Sequence, residues 1–371
     1  MLTLSPIMIT NKQIDIERNE YKKQLNKIKN NKNSYYQGQR MFNTSMFYFA
    51  YHNKSDDKII LEELANTLSK IKGISNSNFA IDRQNYLNSK NEIIKIGICS
   101  EFFRETHTIG KLYTKVLIDL LKTDLEITIY VTPEVQKRGE QDIIRKSFKR
   151  VIELPLSTIE AQKIIFNDKL DVIFYPDIGM STYTYILALS RLALVQVNSL
   201  GHPNTSGIKN IDYFITNDIV PHHPSSSYTE RLIKFSRLPF NYPTPKIDES
   251  KLTSKNIINF DDKFMIGLTQ TLFKLHPDFD QVLESILMKI KNSYLILIKD
   301  KYDIRTEELK KRWKKQSNLL LERSIFLNRM PQDDFINTTK NCHIMLDPFY
   351  FGAGNTFYEA MAFGIPFITY P

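Results

Sequence analysis

From Ile93 onward the chain repeats one pattern: a short β-branched and aliphatic run, a turn, then a stretch whose apolar residues fall at helical spacing. Ile94–Ser100 (IKIGICS), Leu125–Val131 (LEITIYV), Asp171–Tyr175 (DVIFY), Ala193–Ser199 (ALVQVNS) and Ile211–Thr216 (IDYFIT) are such runs, and helical segments separate most of them. Runs of this kind read as strands buried on both faces, and their alternation with helices predicts a parallel sheet with right-handed crossovers. The proline-rich stretch Pro239–Pro245 (PFNYPTP) and the polar residues up to Asn259 form the best linker candidate. A second alternation follows, with strands at Phe264–Thr269, Tyr294–Ile298, Ser324–Asn328, His343–Asp347 and Pro366–Tyr370. Its helices are expected near Pro277–Lys291, Ile304–Lys315, Gln332–Lys340 and Thr356–Phe363. The chain thus reads as α/β with two doubly wound halves, 93–245 and 257–371, facing a cleft, after a helical N-terminal extension, 1–92, with periodicity in Ile16–Ile28 and Ile60–Ile71. The last strand reaches Pro371 with no covering helix, so the second half is expected to be incomplete.

Composition narrows the function classes. The chain has 371 residues, 42% of them hydrophobic, and a formal charge of +9. Its basic residues are densest on expected helix faces such as Glu307–Lys315 and Lys22–Lys32, interleaved with acids or amides. That distribution fits a solvated surface better than a nucleic-acid stripe, while the net field favours a small anionic ligand such as a nucleotide diphosphate. No apolar run reaches the ~18 residues of a membrane span, and no secretory signal opens the chain, so a cytoplasmic location is expected. Cys99 and Cys342 sit in apolar runs, as small buried hydrophobes rather than redox or metal groups.

The chemistry gathers where strands run into unusual turns. After Thr269 comes TQTLFKLHP, and Pro277 is suited to the first turn of a helix. This leaves Lys274 beside free helix N–H groups, as a diphosphate ligand or as a surface lysine. Asp278 and Asp280 make a D-x-D, but in a first helical turn, where the helix dipole explains carboxylates without a metal. The second turn is DPFYFGAGNTFYE, Asp347–Glu359. Gly352 and Gly354 allow close backbone approach, Asn355 and Thr356 offer an N-cap and a hydroxyl for an anion, and Glu359 lies one turn on, able to accept both hydrogen bonds of a ribose diol. In the first half, SEFFRETHTIGK brings His107 just before a helix, and LGHPNTSG brings His202, Thr205 and Ser206 to a third turn, to shape an acceptor side or to form a capped turn.

Five blocks together carry a resemblance: SEFFRETHTIGKLY, YPDIGMS, VQVNSLGHPNTSGIKNIDYFIT, TQTLFKLHPDFD and LDPFYFGAGNTFYEAMAFGIPFITYP. In this order and spacing, from about Ser45 to Pro371, the chain resembles the catalytic region of the protein O-linked N-acetylglucosamine transferase family, whose bacterial relatives include cytosolic N-glucosyltransferases of adhesins. The resemblance implies the GT-B architecture of two Rossmann-like domains and an inverting transfer, without a metal or other cofactor, of a sugar such as GlcNAc from a UDP donor to a protein Ser or Thr hydroxyl. Glucosylation of Asn from UDP-glucose and modification of a glycan are the alternatives in the same class, and a non-catalytic UDP-sugar-binding remnant is the alternative outside it. It further implies that His107 is the active-site histidine, that Lys274 neutralises the leaving diphosphate with Gln270 and Thr271 nearby, and that Asn355 and Thr356 hold the phosphates. Glu359 would bind the ribose, and Arg329 and Met330, in FLNRMPQDDF, would line the base pocket, with Gln332 and Phe335 standing where animal enzymes have Lys and His. Asp177, in YPDIGMS, is a second candidate for the base. The tandem helical repeats of the family are missing from the sequence.

Overall fold

The structure is a computed structural model that describes residues 2–31, 35–38, 43–76, 79, 93–104, 107–138, 142–218, 225–253 and 262–370. The expected boundary at 92/93, Lys32, part of the SEFFRETHTIGK block, the polar stretch to Asn259 and Pro371 touch positions outside the described residues.

Twelve strands are described: β1 Lys95–Ser100, β2 Glu126–Val131, β3 Arg150–Glu153, β4 Leu170–Tyr175, β5 Ala193–Ser199, β6 Tyr213–Asn217, β7 Arg231–Phe235, β8 Phe264–Leu268, β9 Ser293–Ile298, β10 Ser324–Leu327, β11 Ile344–Leu346 and β12 Phe367–Ile368. The first sheet runs β3-β2-β1-β4-β5-β6-β7 and the second β10-β9-β8-β11-β12. All their pairings are parallel. Each sheet therefore starts in its middle, winds outward to one edge, and then reverses to wind toward the other. The reversal falls between β1 and β4 in the first sheet and between β8 and β11 in the second. At such a point the loops leaving adjacent strands diverge, opening a crevice at the carboxyl edge of the sheet.

The sheets belong to two compact units. One comprises Met1–Thr3, Glu20–Phe49 and Lys54–Tyr242, and the other Leu4–Asn19, Ala50–Asn53 and Pro243–Pro371. The first 92 residues thus contribute to both. They include helices Asn11–Asn30 and Asp57–Ser69 and a 3-10 turn, Met46–Tyr51.

In the first unit the helix Thr108–Leu120 buries Ile109, Leu112, Tyr113 and Leu117, a stripe at helical spacing that packs with Ile98, Ile127 and Ile129 of the sheet. In the second, helix Pro277–Lys289 begins with His276 as its cap and Pro277 in its first turn, then buries Phe279, Leu283 and Leu287 against Ile266, Leu295 and Leu297. Ile7 joins this second core from the start of the chain. Both cysteines are free and buried, and burial pushes the Cys342 thiol up to about 12, which leaves it inert near neutrality. Among the described residues no helix is long and apolar enough to cross a membrane.

Candidate functional site

The second unit assembles its site at the reversal between β8 and β11. Beyond β8, Leu272–Lys274 makes one 3-10 turn that ends on Lys274. Its ammonium donates to Gly352 O at 2.7 Å and Ala353 O at 3.2 Å, and lies 4.6 Å from the centre of the Phe351 ring. Burial pushes Lys274 down to about 8, and the carboxylate of Asp347 works against that shift. A half-buried cation at this pKa is charged at neutral pH and lacks a full counter-charge, so an arriving phosphate stabilises it. Gln270 lies alongside, its amide donating to Leu346 O at 3.2 Å, while its buried Oε1 has no partner among the described residues. Thr271 is exposed at the start of the turn.

The glycine turn differs from expectation at its cap. The cap is Gly354, with φ of +65°, and Asn355 is the first residue of the helix Asn355–Ala362. A Cβ at Gly354 would meet nothing within 4 Å, so the glycine is there for its left-handed backbone rather than for space. Thr356 is buried and its hydroxyl donates back to Ala353 O at 3.3 Å. Tyr350 in the same turn has φ of +72°, which costs a bulky residue on the order of 1–2 kcal/mol. Its hydroxyl is anchored on Asp278 at 2.9 Å and its ring rests edge-on against His276. Backbone strain held in place by side-chain contacts marks a turn whose shape matters.

A step further along the same carboxyl edge, Glu359 is buried and accepts from Gln332 at 3.4 Å, and Met330 receives the Thr338 hydroxyl at 3.4 Å. The expected ribose carboxylate and the expected base loop are therefore neighbours. Arg329 is exposed on that loop. The D-x-D is engaged in structure: Asp280 is fully buried and accepts from Arg312 at 2.7 Å and from the Trp313 indole at 2.9 Å, while Asp278 accepts from Asn11 at 2.6 Å and from Tyr350.

In the first unit the reversal between β1 and β4 carries His107 and Asp177. His107 caps helix Thr108–Leu120, its Nδ1 accepting from Ile109 N at 3.3 Å, and its ring stacks on Phe102 at 4.7 Å. With Nδ1 accepting, a neutral ring carries its proton on Nε2 and offers a donor there. Asp177 has no exposed surface. Its Oδ2 accepts from the Ser100 hydroxyl at 2.9 Å and Glu101 N at 3.1 Å, and its Oδ1 has no partner among the described residues. Burial pushes its carboxyl up to about 7, with the Ser100 hydrogen bond opposing.

The third turn is locked from within. His202 is buried, bonds Phe47 O through Nε2 at 3.1 Å, and is pushed down to about 4 by burial. Thr205 donates to buried Glu230 at 2.5 Å, and Ser206 bonds the same carboxylate through its N–H at 2.7 Å and through its hydroxyl. Gly201 donates to Pro176 O at 2.9 Å, where a Cβ would lie 2.0 Å from that oxygen, so only glycine lets the two turns meet. The hydroxyls of Thr205 and Ser206 are thus occupied in holding the turn. Glu230 and Asp347, the carboxylates that organise these turns, escape a sequence reading because each only becomes informative once its distant partners are seen.

No family model matches the chain. It is 23% identical over 294 residues to a UDP-glucose:protein N-beta-glucosyltransferase of Actinobacillus pleuropneumoniae serotype 5b, covering 76% of this chain and 44% of that protein. It is likewise 23% identical over 291 residues to a probable UDP-N-acetylglucosamine–peptide N-acetylglucosaminyltransferase of Arabidopsis thaliana, covering 75% of this chain and 29% of that one. A solved structure of an O-GlcNAc transferase variant from Thermobaculum terrenum superposes with a TM-score of 0.71 at 19% identity, over 97% of this chain and 65% of that one. The chain has the GT-B fold. Its two reversing sheets are the two Rossmann-like domains of that fold, and its similarity to these transferases is seen in sequence and in fold. The chain spans less than half the length of the curated relatives it matches.

Proposed function

We propose that this chain transfers a sugar from a UDP donor to a nucleophile on a protein, with inversion and without a metal. The observation that carries the reading is the inward-turned Lys274 ammonium at the reversal of the second sheet, hydrogen-bonded to a strained glycine turn. In that role Lys274 and the N-terminal turn of helix Asn355–Ala362 receive the diphosphate, with Gln270, Thr271, Gly354, Asn355 and Thr356 around it. Arg329 and Met330 line the base, and Glu359, steadied by Gln332, takes the ribose. Departure of the diphosphate concentrates negative charge beside Lys274, and a preoriented cation there contributes a few kcal/mol to the transition state, on the order of what one good donor supplies. Asp278 and Asp280 are already engaged by protein donors, which leaves the lysine as the group facing that charge.

For the transfer step, His107 acts through its Nε2–H, orienting a sugar or acceptor oxygen. Asp177 acts as a positioning residue, holding the turn after β1 through Ser100 and Glu101. His202, Thr205 and Ser206 shape the acceptor side by keeping their turn rigid rather than by offering free hydroxyls. The expected location is the cytoplasm, where nucleotide sugars serve soluble transferases. The acceptor in this reading is a Ser or Thr hydroxyl and the sugar GlcNAc. A second reading, glucose to Asn, is favoured by the match to the N-glucosyltransferase over 294 residues.

Lys274→Ala is expected to abolish UDP release in a donor-hydrolysis assay while the chain still folds; undiminished turnover removes Lys274 from the mechanism. His107→Ala is expected to lose transfer and keep UDP affinity by calorimetry. Mass spectrometry of a protein acceptor after incubation with UDP-GlcNAc or UDP-glucose separates the two readings, and failure to bind UDP would remove both.

A further inference from the structure

One peptide group in the glycine turn is held from both sides. The carbonyl of Gly352 accepts from Lys274 at 2.7 Å, and the N–H of the same peptide, on Ala353, donates to Asp347 Oδ1 at 2.5 Å. The other carboxylate oxygen of Asp347 accepts from the Thr369 hydroxyl at 2.8 Å, and its backbone N–H donates to Ile368 O at 2.8 Å, so Asp347 is itself fixed to the strand beside it. Gly352 permits the approach: a Cβ there would stand 3.1 Å from Asp347 Oδ2. An ammonium and a carboxylate thus polarise the peptide between them in the same sense, and charged partners make both bonds strong.

We propose that Asp347 is the positioning residue of the donor-phosphate site: it sets the orientation of the Gly352–Ala353 peptide and, through that peptide, the place of the Lys274 ammonium. This rests on the donor role given to Lys274 above. Without Asp347 the peptide is free to rotate, its N–H loses its acceptor, and the carbonyl that docks Lys274 turns away. Asp347 also acts directly. Among the described residues it supplies the charge that favours the ammonium form of Lys274, against burial. The other titratable groups on the surrounding elements are engaged elsewhere. His276 caps its helix beside Asp278, Asp278 accepts from Tyr350, and Arg305, which lies over Phe273, pairs with Asp300 at 3.2 Å. Tyr51 packs its ring on Phe273 and Phe351.

The test compares the full chain with Asp347→Asn and Asp347→Ala, measuring UDP affinity by calorimetry from pH 6.5 to 9 and hydrogen exchange of the Ala353 amide. Asparagine keeps an oxygen for Ala353 N but removes the charge. Its UDP affinity is expected within about threefold of the parent at pH 6.5 and at least tenfold weaker at pH 8.5, because Lys274 then loses its proton at lower pH. Alanine removes the clamp, so affinity is expected to fall at least tenfold at every pH, with Ala353 exchanging at least tenfold faster. A residue that merely supports the fold would leave the pH profile of the asparagine variant superimposed on that of the parent, and that result overturns the proposal. If the parent chain fails to bind UDP, the donor reading is lost, and unchanged exchange at Ala353 in the alanine variant separately refutes the clamp. Tryptophan emission and the unfolding midpoint of each variant report whether it is folded.

Discussion

Asp280, Arg312 and Trp313 form a polar knot in the apolar core of the second unit, and cutting it should be costly. Arg312 and Asp280 are 2% and 0% exposed, and the guanidinium lies 2.7 Å from the carboxylate. Arg312 also donates to Met8 O at 2.8 Å and Leu275 O at 2.9 Å. Burial pushes the Asp280 carboxyl up and the Arg312 guanidinium down, with each partner opposing the other's shift, so neither charge is comfortable alone. Removing one member of a buried pair typically costs about 3–5 kcal/mol, and a stranded indole N–H adds about 1 more. Asp280→Leu is therefore expected to lose about 5 kcal/mol. Arg312→Met should lose about 4 kcal/mol at neutral pH and less in acid, where the stranded carboxyl takes up a proton in the folded state. The double variant replaces the pair with apolar volume and should recover more than about 2 kcal/mol of the summed loss. Trp313 is the sole tryptophan of the chain and is fully buried, so its emission in equilibrium urea unfolding reports on this unit. A loss below about 1 kcal/mol in both single variants, or strict additivity in the double, would refute the reasoning.

Two buried groups in the first unit should pull its stability in opposite directions with pH. His202 is lowered from 6.5 to about 4, so the unfolded chain binds the extra proton and stability is lost as pH falls across that window, by about 3 kcal/mol in total. Asp177 is raised from 3.8 to about 7, so its folded form holds the extra proton and stability falls as pH rises through that window, by about 4 kcal/mol. Asp177→Asn should accordingly stabilise the chain by at least about 2 kcal/mol at pH 8 and leave the acid-side slope of His202 exposed, both readable in denaturant midpoints across pH. A variant no more stable than the parent at pH 8 would show that Asp177 is not held as a buried, strained charge. Gly354→Ala should cost about 1 kcal/mol of stability through its left-handed φ and weaken UDP binding, as measured by calorimetry; an unchanged midpoint would mean that the turn relaxes freely.

Much of the fold was legible because parallel strands advertise themselves. β1, β2, β4 and β5 are largely buried on both faces, and their sequence runs match the observed strands to within a residue or so. The two strands that went unseen, β3 and β7, lie at the edges of the first sheet, where RVIE and RLIKF need only one covered side and carry charges that hide the pattern. The candidate site was legible where local chemistry is distinctive, as with the proline after His276 and the glycines of the second turn. It was less so where a residue takes its role from afar. Asp347 looks like an ordinary strand end until Ala353 and Thr369 close on it, and Thr205 and Ser206 read as open hydroxyls until Glu230 arrives from 24–25 residues away.

The bond from Arg312 to Met8 spans 304 positions of the chain. Its consequence is temporal. On the ribosome the segment Leu4–Asn19 emerges before the rest of its unit and then waits, with Ile7 exposed, until the helix Ile304–Gln316 has been made. The first unit, whose sheet ends at Phe235, can finish its own strands during that wait. Deleting Leu4–Asn19 would spare most of the first unit's residues and leave the UDP-binding candidate without part of its core, so a segment translated ahead of the first sheet serves the unit that is completed after it.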